Sequence, residues 1–96
     1  MTESKGSIQG SKNEHRIMFY GLSTCIWCKR TRQFLENQGL SFDFVYVDLF
    51  HGQEREELVA EIRQWNPAIS FPTIVLDNKQ CVVGYKPDEL KEALGL

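Results

Sequence analysis

Two cysteines three positions apart, Cys25 and Cys28, stand between a short apolar run and a stretch of helix-forming residues. The apolar run, residues 17–20, ends at Gly21 and is typical of a strand that is buried on both faces. The stretch after the cysteines, residues 29–38, has the apolar spacing of a helix with one buried side. The sequence therefore predicts a strand-to-helix junction with Cys25 at the start of the helix.

The rest of the chain continues the alternation of strands and helices. Residues 42–47 predict a second strand, and residues 53–65 predict a second helix. A hairpin that turns at Asp77-Asn78 is expected next, and Pro87 is expected to begin the last helix. The order β-α-β-α-β-β-α predicts an α/β fold, in which a four-stranded mixed sheet carries helices on both faces.

The first thirteen residues differ from the rest in composition. They are rich in Ser, Gly, Lys, Asn and Gln, and Ile8 is their one apolar residue beyond the initiator methionine. So little apolar surface is not expected to offset the entropy lost on ordering. We therefore predict a flexible tail over residues 1–13 and a single domain over residues 14–96.

Charge and hydropathy argue against two classes of partner. The formal net charge is -2 and the pI is near 5.6, so the chain lacks the basic field that holds nucleic acid or an anionic membrane. No apolar run approaches the roughly 20 residues of a spanning helix, and the N-terminus lacks the apolar core of a secretory signal. The expectation is a cytoplasmic monomer with no nucleic-acid or membrane partner.

The position of the cysteine pair indicates redox chemistry. Three cysteines, an odd number, do not suit a structural disulfide framework. A sulfur at a helix N-terminus faces unpaired N–H groups, and in such settings the pKa of a cysteine falls from about 8.5 to between roughly 3.5 and 7.5. Cys28, one turn further on, suits the geometry of a disulfide with Cys25 and is expected to be the more buried. Cys25 is therefore the predicted nucleophile, and Cys28 the predicted resolving thiol.

Two other interpretations of the pair stay open on the residues alone. The cysteines could be small buried apolar groups without a reaction to perform. They could also form half of a zinc site, for which the chain offers only Cys81, His15 and His51 as further ligands. Cys81 itself, on an apolar strand, is expected to be buried and inert.

Three motifs give the chain a resemblance to a known family: Cys25-Ile26-Trp27-Cys28, Ser70-Phe71-Pro72 and Gly84-Tyr85. From about residue 16 to residue 96 it resembles a glutaredoxin of the thioredoxin superfamily. The resemblance implies a thioredoxin-like fold and a dithiol thiol–disulfide oxidoreductase that reduces protein disulfides and serves cell redox homeostasis. It also implies that Pro72 is cis and that Phe71 offers its main chain to an extended substrate. The predicted substrate-binding residues are Trp27, Phe71, Pro72, Gly84 and Tyr85, with Trp27 either exposed for docking or packed inward.

The chain departs from the common glutaredoxin pattern at sites that concern glutathione. Ile26-Trp27 replaces the usual Pro-Tyr, and no lysine stands shortly before Cys25. Residues 83–88 are more similar to the NrdH-type redoxins, which serve ribonucleotide reductase and take electrons from a thioredoxin-reductase type of enzyme. The resemblance thus implies a disulfide-containing protein as substrate and a disulfide reductase as donor. No permanently bound cofactor is expected, and glutathione is disfavoured as the donor.

The resemblance leaves a second function open. Some glutaredoxins carry an iron–sulfur cluster between two protomers, held by the first cysteine and by glutathione. Many of those have a single thiol followed by Gly-Phe-Ser, which this chain lacks. An iron–sulfur carrier that uses Cys25 in a dimer is therefore the alternative to disulfide exchange, and no resident metal site is predicted.

Overall fold

Among the described residues, five strands form one mixed sheet in the order β1-β3-β2-β4-β5. A computed structural model describes residues 3–96. Its elements are β1 (Lys5–Ile8), β2 (Ile17–Gly21), α1 (Ile26–Asn37), β3 (Phe42–Tyr46), a single 3₁₀ turn (Val47–Leu49), α2 (Gly52–Trp65), β4 (Thr73–Leu76), β5 (Gln80–Val83) and α3 (Pro87–Leu94). β2 pairs parallel with β3, as in a βαβ unit, and antiparallel with β4, which forms a hairpin with β5.

The two faces of the sheet are covered by different helices, as the alternation in β3 predicts. Phe42, Phe44 and Tyr46 point into one core, together with buried residues of α1 and α3. Val45 points to the opposite face, where Ile62 of α2 is fully buried. A side chain of this size contributes about 1.5–3 kcal/mol when it is buried, so both faces stabilise the sheet.

The first strand is a correction to the predicted architecture. The sheet has five strands where four were predicted, and the added strand, β1, lies within the segment that was predicted to be a flexible tail. β1 pairs antiparallel with β3 from Lys5 opposite Val45 to Ile8 opposite Phe42. Residues 1 and 2 of the predicted tail lie outside the described residues.

Backbone contacts, more than apolar burial, hold β1 in place. The main chain of Ser4 accepts a hydrogen bond from the Tyr46 N–H at 2.8 Å. At Gly6, a Cβ would stand 2.9 Å from the Phe44 ring, and at Gly10 it would stand 2.2 Å from the backbone oxygen of Gly39. Glycine is therefore needed where the N-terminal segment passes close to the domain. A prediction from apolar pattern alone does not detect a strand that is held in this way.

No helix within residues 3–96 combines the length and the apolar character that crossing a membrane requires.

Candidate active site

Cys25 occupies the cap position of α1, directly after β2 and its connecting loop. Its backbone is extended, with φ -90° and ψ 120°, and its sulfur accepts a hydrogen bond from the Cys28 N–H at 3.2 Å. The helix therefore begins with a sulfur as its cap, in a place where hydroxyl groups are more usual. The predicted position of Cys25 at the helix start is confirmed.

Cys28 lies one turn further on and is 1% exposed, which confirms the prediction that it is the more buried thiol. The Leu22 N–H donates to its sulfur at 3.5 Å. Gly21 leaves room for the Phe19 ring beside Cys28, because a Cβ there would stand only 2.8 Å from that ring. Burial, followed by the hydrogen bond to Cys25, raises the pKa of the Cys28 thiol to about 12.

Asp48, in the 3₁₀ turn after β3, fastens the loop that leads to the cysteines. Its carboxylate accepts a hydrogen bond from the Ser23 N–H at 2.9 Å and another from the Ser23 hydroxyl. Burial alone would raise the pKa of the Asp48 carboxyl, but the hydrogen bonds from Ser23 outweigh it and lower that pKa. Sequence reasoning missed this contact, because Asp48 lies 25 positions from Ser23 and no local pattern links the two.

The surface beside Cys25 is aromatic. Trp27 is 52% exposed, which decides between the two orientations left open by the sequence, and its neighbour Ile26 is 56% exposed. The Trp27 ring stacks on Tyr85, with centroids 6.0 Å apart and planes 22° from parallel. The Arg30 guanidinium lies 5.3 Å from the Trp27 centroid, within cation–π range. Trp27 is therefore held in place while much of its surface remains open.

A small cleft brings the predicted binding residues together. Its volume is about 260 Å³, and it is lined by Trp27, Phe71, Gly84 and Tyr85. Pro72, the fifth predicted residue, follows a cis peptide bond as the family resemblance implies, and its carbonyl accepts a hydrogen bond from the Gly84 N–H at 2.8 Å. Phe71 has no main-chain hydrogen-bond partner among residues 3–96. All five residues are adjacent, and their role in binding stays a prediction.

Comparison with known proteins identifies the family. The model of the glutaredoxin family matches residues 17–82, which run from β2 to β5. This chain belongs to the glutaredoxin family.

Solved glutaredoxins share its architecture closely. The glutaredoxin from Methanosarcina mazei Go1 is 41% identical, with a TM-score of 0.90 over 98% of this chain and 90% of that one. Methanoredoxin from Methanosarcina acetivorans is 38% identical, with a TM-score of 0.90 over 97% of this chain and 98% of that one. The glutaredoxin-like NrdH-redoxin from Escherichia coli, described by a thioredoxin-like activity profile, is 25% identical, with a TM-score of 0.62 over 80% and 92%. The predicted thioredoxin-like fold is thus confirmed.

The other candidate metal ligands of this glutaredoxin lie apart from the pair. Cys81 is only half-buried and packs with the core on the α2 side of the sheet, whereas Cys28 packs on the opposite side. His15 is paired with Asp77 at 2.7 Å. Across the described part of the chain, no three or more His, Cys, Asp or Glu side chains come together as a metal-binding group.

A glutaredoxin cluster site would need more thiolates than one chain provides here. Iron–sulfur clusters are held by four thiolates in most proteins. Cys25 is partly exposed, but Cys28 is enclosed behind it, so the site presents one reachable sulfur. These residues do not fit a cluster held by a single chain; the carrier hypothesis would require a second copy and external thiols.

Proposed function

We propose that this glutaredoxin-family protein reduces protein disulfides by dithiol exchange. The observation that carries the proposal is a partly exposed sulfur at a helix cap, which accepts the Cys28 N–H at 3.2 Å, with the enclosed Cys28 sulfur one turn behind it. Such an arrangement gives an incoming disulfide access to one thiol only. Cys25 is therefore assigned as the nucleophile, and Cys28 as the resolving thiol.

The reaction proceeds in two exchange steps. The Cys25 thiolate attacks one sulfur of the substrate disulfide, which forms a mixed disulfide and releases the other substrate sulfur as a thiolate that takes up a proton. Cys28 then loses its proton and attacks the Cys25 sulfur, which breaks the mixed disulfide and releases the second substrate thiol. The substrate gains two electrons and two protons, and the protein is left with a Cys25–Cys28 disulfide.

The cleft beside Cys25 is assigned to substrate binding. Trp27 and Tyr85 offer exposed aromatic surface, which binds partner proteins well. Phe71 and Gly84 also line the cleft, where the unpaired main chain of Phe71, next to cis Pro72, suits an extended polypeptide. This surface supports a substrate that is a polypeptide segment with a disulfide, such as the disulfide of ribonucleotide reductase that a redoxin reduces.

The oxidised protein needs an electron donor, and we assign a thioredoxin-reductase type of enzyme in preference to glutathione. The absence of a lysine shortly before Cys25 and the NrdH-like string at residues 83–88 support this assignment. The likeness to a redoxin with a thioredoxin-like activity profile supports it as well. The proposal includes a cytoplasmic monomer without a resident cofactor, active in redox homeostasis where thiols are kept reduced.

Insulin reduction with two alternative donors tests the proposal. The oxidised protein is supplied either with thioredoxin reductase and NADPH or with glutathione, glutathione reductase and NADPH, and insulin disulfide loss is followed. Turnover is expected with the first system. Rapid turnover with glutathione alone would contradict the assigned donor, and no acceleration of insulin reduction over either donor system or dithiothreitol alone would contradict the function.

A substitution of the resolving thiol tests the assignment of roles. Cys28→Ser is expected to accumulate a mixed disulfide between Cys25 and insulin, visible by mass spectrometry, whereas Cys25→Ser should form none. Undiminished turnover of protein disulfides by Cys28→Ser would show that Cys28 does not resolve.

A further inference from the structure

A buried carboxamide lies behind the segment that carries Phe71 and Pro72. Asn66 follows the last residue of α2 and is only 6% exposed, although asparagine is usually a surface residue. A buried polar group is costly unless it is hydrogen-bonded. The partners of Asn66 therefore indicate what its burial accomplishes.

The Asn66 side chain binds both ends of the four-residue segment 70–73. Its Nδ2 lies 3.0 Å from the Ser70 carbonyl oxygen, 3.1 Å from the Ser70 hydroxyl and 3.1 Å from the Thr73 hydroxyl. A carbonyl oxygen can only accept, so the carboxamide must present its NH₂ group there. The Thr73 hydroxyl donates to the same Ser70 carbonyl at 2.8 Å, which closes the network.

The backbone of Asn66 joins this network to the core. Its N–H donates to the Ile62 carbonyl at 2.7 Å, and its carbonyl accepts from the Ile69 N–H at 2.9 Å. Ile62 is fully buried, so Asn66 has a rigid base. Segment 70–73 is thereby fixed to the end of α2 and not only to its neighbours in the sheet.

The backbone of this loop is in a conformation that its sequence does not favour. Ile69 has φ 50°, a value that β-branched residues rarely adopt. Such conformations persist where the surrounding structure determines them, and they concentrate at functional sites. The hydrogen bonds of Asn66 are the contacts that hold the loop on both sides of Ile69.

We propose that Asn66 is a positioning residue for substrate binding, which holds segment 70–73 so that the main chain of Phe71 faces an extended disulfide-containing polypeptide. The inference rests on the proposed function, since it concerns the same cleft. Asn66 itself touches no substrate and acts through Ser70 and Thr73. Breaking the network should weaken the binding of a polypeptide while the cysteines keep their reactivity toward small reagents.

Variants at the two ends of the network test this role. Thr73→Val removes the hydroxyl without changing the shape of the side chain, and Thr73→Ser retains the hydroxyl as the matched control. Asn66→Asp preserves the shape but cannot donate to the Ser70 carbonyl. Ser41→Ala, which loses hydroxyl hydrogen bonds to Gly10 far along the chain from the cleft, controls for a general loss of stability.

Kinetics with insulin and dithiothreitol give the first measurement. Loss of about one buried hydrogen bond corresponds to roughly a fivefold change in an equilibrium, so Thr73→Val is expected to raise the KM for insulin about fivefold with kcat unchanged. Its rate of Cys25 alkylation by iodoacetamide should equal that of the wild type. Thr73→Ser and Ser41→Ala should keep the wild-type KM. Thermal unfolding establishes that each variant is folded.

Amide hydrogen exchange gives a measurement that does not depend on turnover. The Ile69 and Gly84 amides, which donate to the Asn66 and Pro72 carbonyls, are expected to exchange faster in Thr73→Val and Asn66→Asp than in Thr73→Ser. If the wild type fails to reduce insulin, the proposed function is wrong, and this exchange measurement alone decides the inference. Wild-type exchange together with a wild-type KM in folded Thr73→Val would overturn it.

Discussion

Cys25 and Cys28 have the same side chain but lie in different surroundings. The Cys28 thiol is enclosed behind the helix cap, where burial and the hydrogen bond to Cys25 raise its pKa to about 12. Cys25 is partly exposed at the end of the loop. We therefore expect the two thiols to react at different rates, because the fold places them in different surroundings.

The different burial of the two thiols predicts that only one of them is readily alkylated. Because a thiol of pKa about 12 is ionised in only about one molecule in 10⁴ at pH 8, we expect iodoacetamide to modify Cys25 and spare Cys28. The experiment uses Cys81→Ser to remove the third thiol, with the modified peptides identified by mass spectrometry. Denatured protein is the control, in which both cysteines should react; equal rates in the folded protein would refute the assigned burial.

The carboxylate of Asp48 makes a pH-dependent contribution to stability. Its folded pKa is lowered, so this contribution is complete above the ordinary value of 3.8 and is lost as the pH falls through the folded pKa. Asp48→Asn keeps an acceptor for the Ser23 N–H but presents an NH₂ group to its hydroxyl. We expect a loss of about 1–3 kcal/mol near neutral pH.

Chemical unfolding of the wild type and Asp48→Asn from pH 7 to pH 3 measures this contribution. The difference between the two free energies of unfolding should shrink as Asp48 becomes protonated. A difference that stays constant over the whole range would show that the carboxylate charge is not responsible.

At the residue scale, the sequence predicts chemistry better than it predicts positioning. Cys25 and Cys28 could be assigned because their spacing and their place after a strand carry the chemistry. In the sequence, Asn66 marks only the end of the predicted helix over residues 53–65, and nothing around Asp48 indicates a role. Their roles depend on partners that the loops bring together, and the position of such loops is a tertiary property that local pattern does not contain.

Among the elements, the strands with strong apolar alternation were the predictable ones. β3 alternates Phe42, Phe44 and Tyr46 with residues of the other face, and its pairing follows from that pattern. β1 has the sequence KGSI, which carries almost no such pattern. Its pairing depends on the free edge of β3 and on glycines that allow close approach, so it could not be predicted from its own residues.

The β4–β5 hairpin is tied to the start of β2 by an ion pair. Asp77, at the turn, lies 2.7 Å from His15 and accepts the Arg16 N–H at 2.8 Å. The hydrogen bond to Asp77 raises the pKa of His15, and the bond from His15 lowers the pKa of Asp77. The histidine's contribution is therefore complete below 6.5 and is lost as the pH rises through its raised folded pKa.

Thermal unfolding between pH 5 and pH 9 tests this link. The Tm of the wild type is expected to fall over the upper part of the range, because neutral His15 no longer attracts the Asp77 carboxylate. His15→Gln should flatten that decline. His51→Gln is the matched control, since His51 precedes α2 without a capping hydrogen bond and should leave the wild-type decline unchanged. An identical decline in His15→Gln would exclude this pair as its source.

For the molecule as a whole, β1 closes one side of a domain whose active site is built from other elements. The cleft and both cysteines lie on residues between β2 and α3, so we expect the proposed exchange reaction to proceed without β1. We expect β1 to contribute to stability instead, because it pairs with residues 42–45 of β3 and Ile8 packs against the core. An unpaired β3 would also present a long strand edge that can pair with another chain.

Removal of residues 1–10 should therefore separate stability from reactivity. We expect the truncated chain to lose about 2–4 kcal/mol of unfolding free energy, from several backbone hydrogen bonds and part of one aliphatic side chain. Gly10→Ala should lose less, because it displaces the segment from Gly39 without removing the strand. Urea unfolding measures the stability, light scattering measures association through β3, and iodoacetamide measures Cys25. A slowed Cys25 reaction in a truncated chain that is still folded would mean that the deleted segment also shapes the active site.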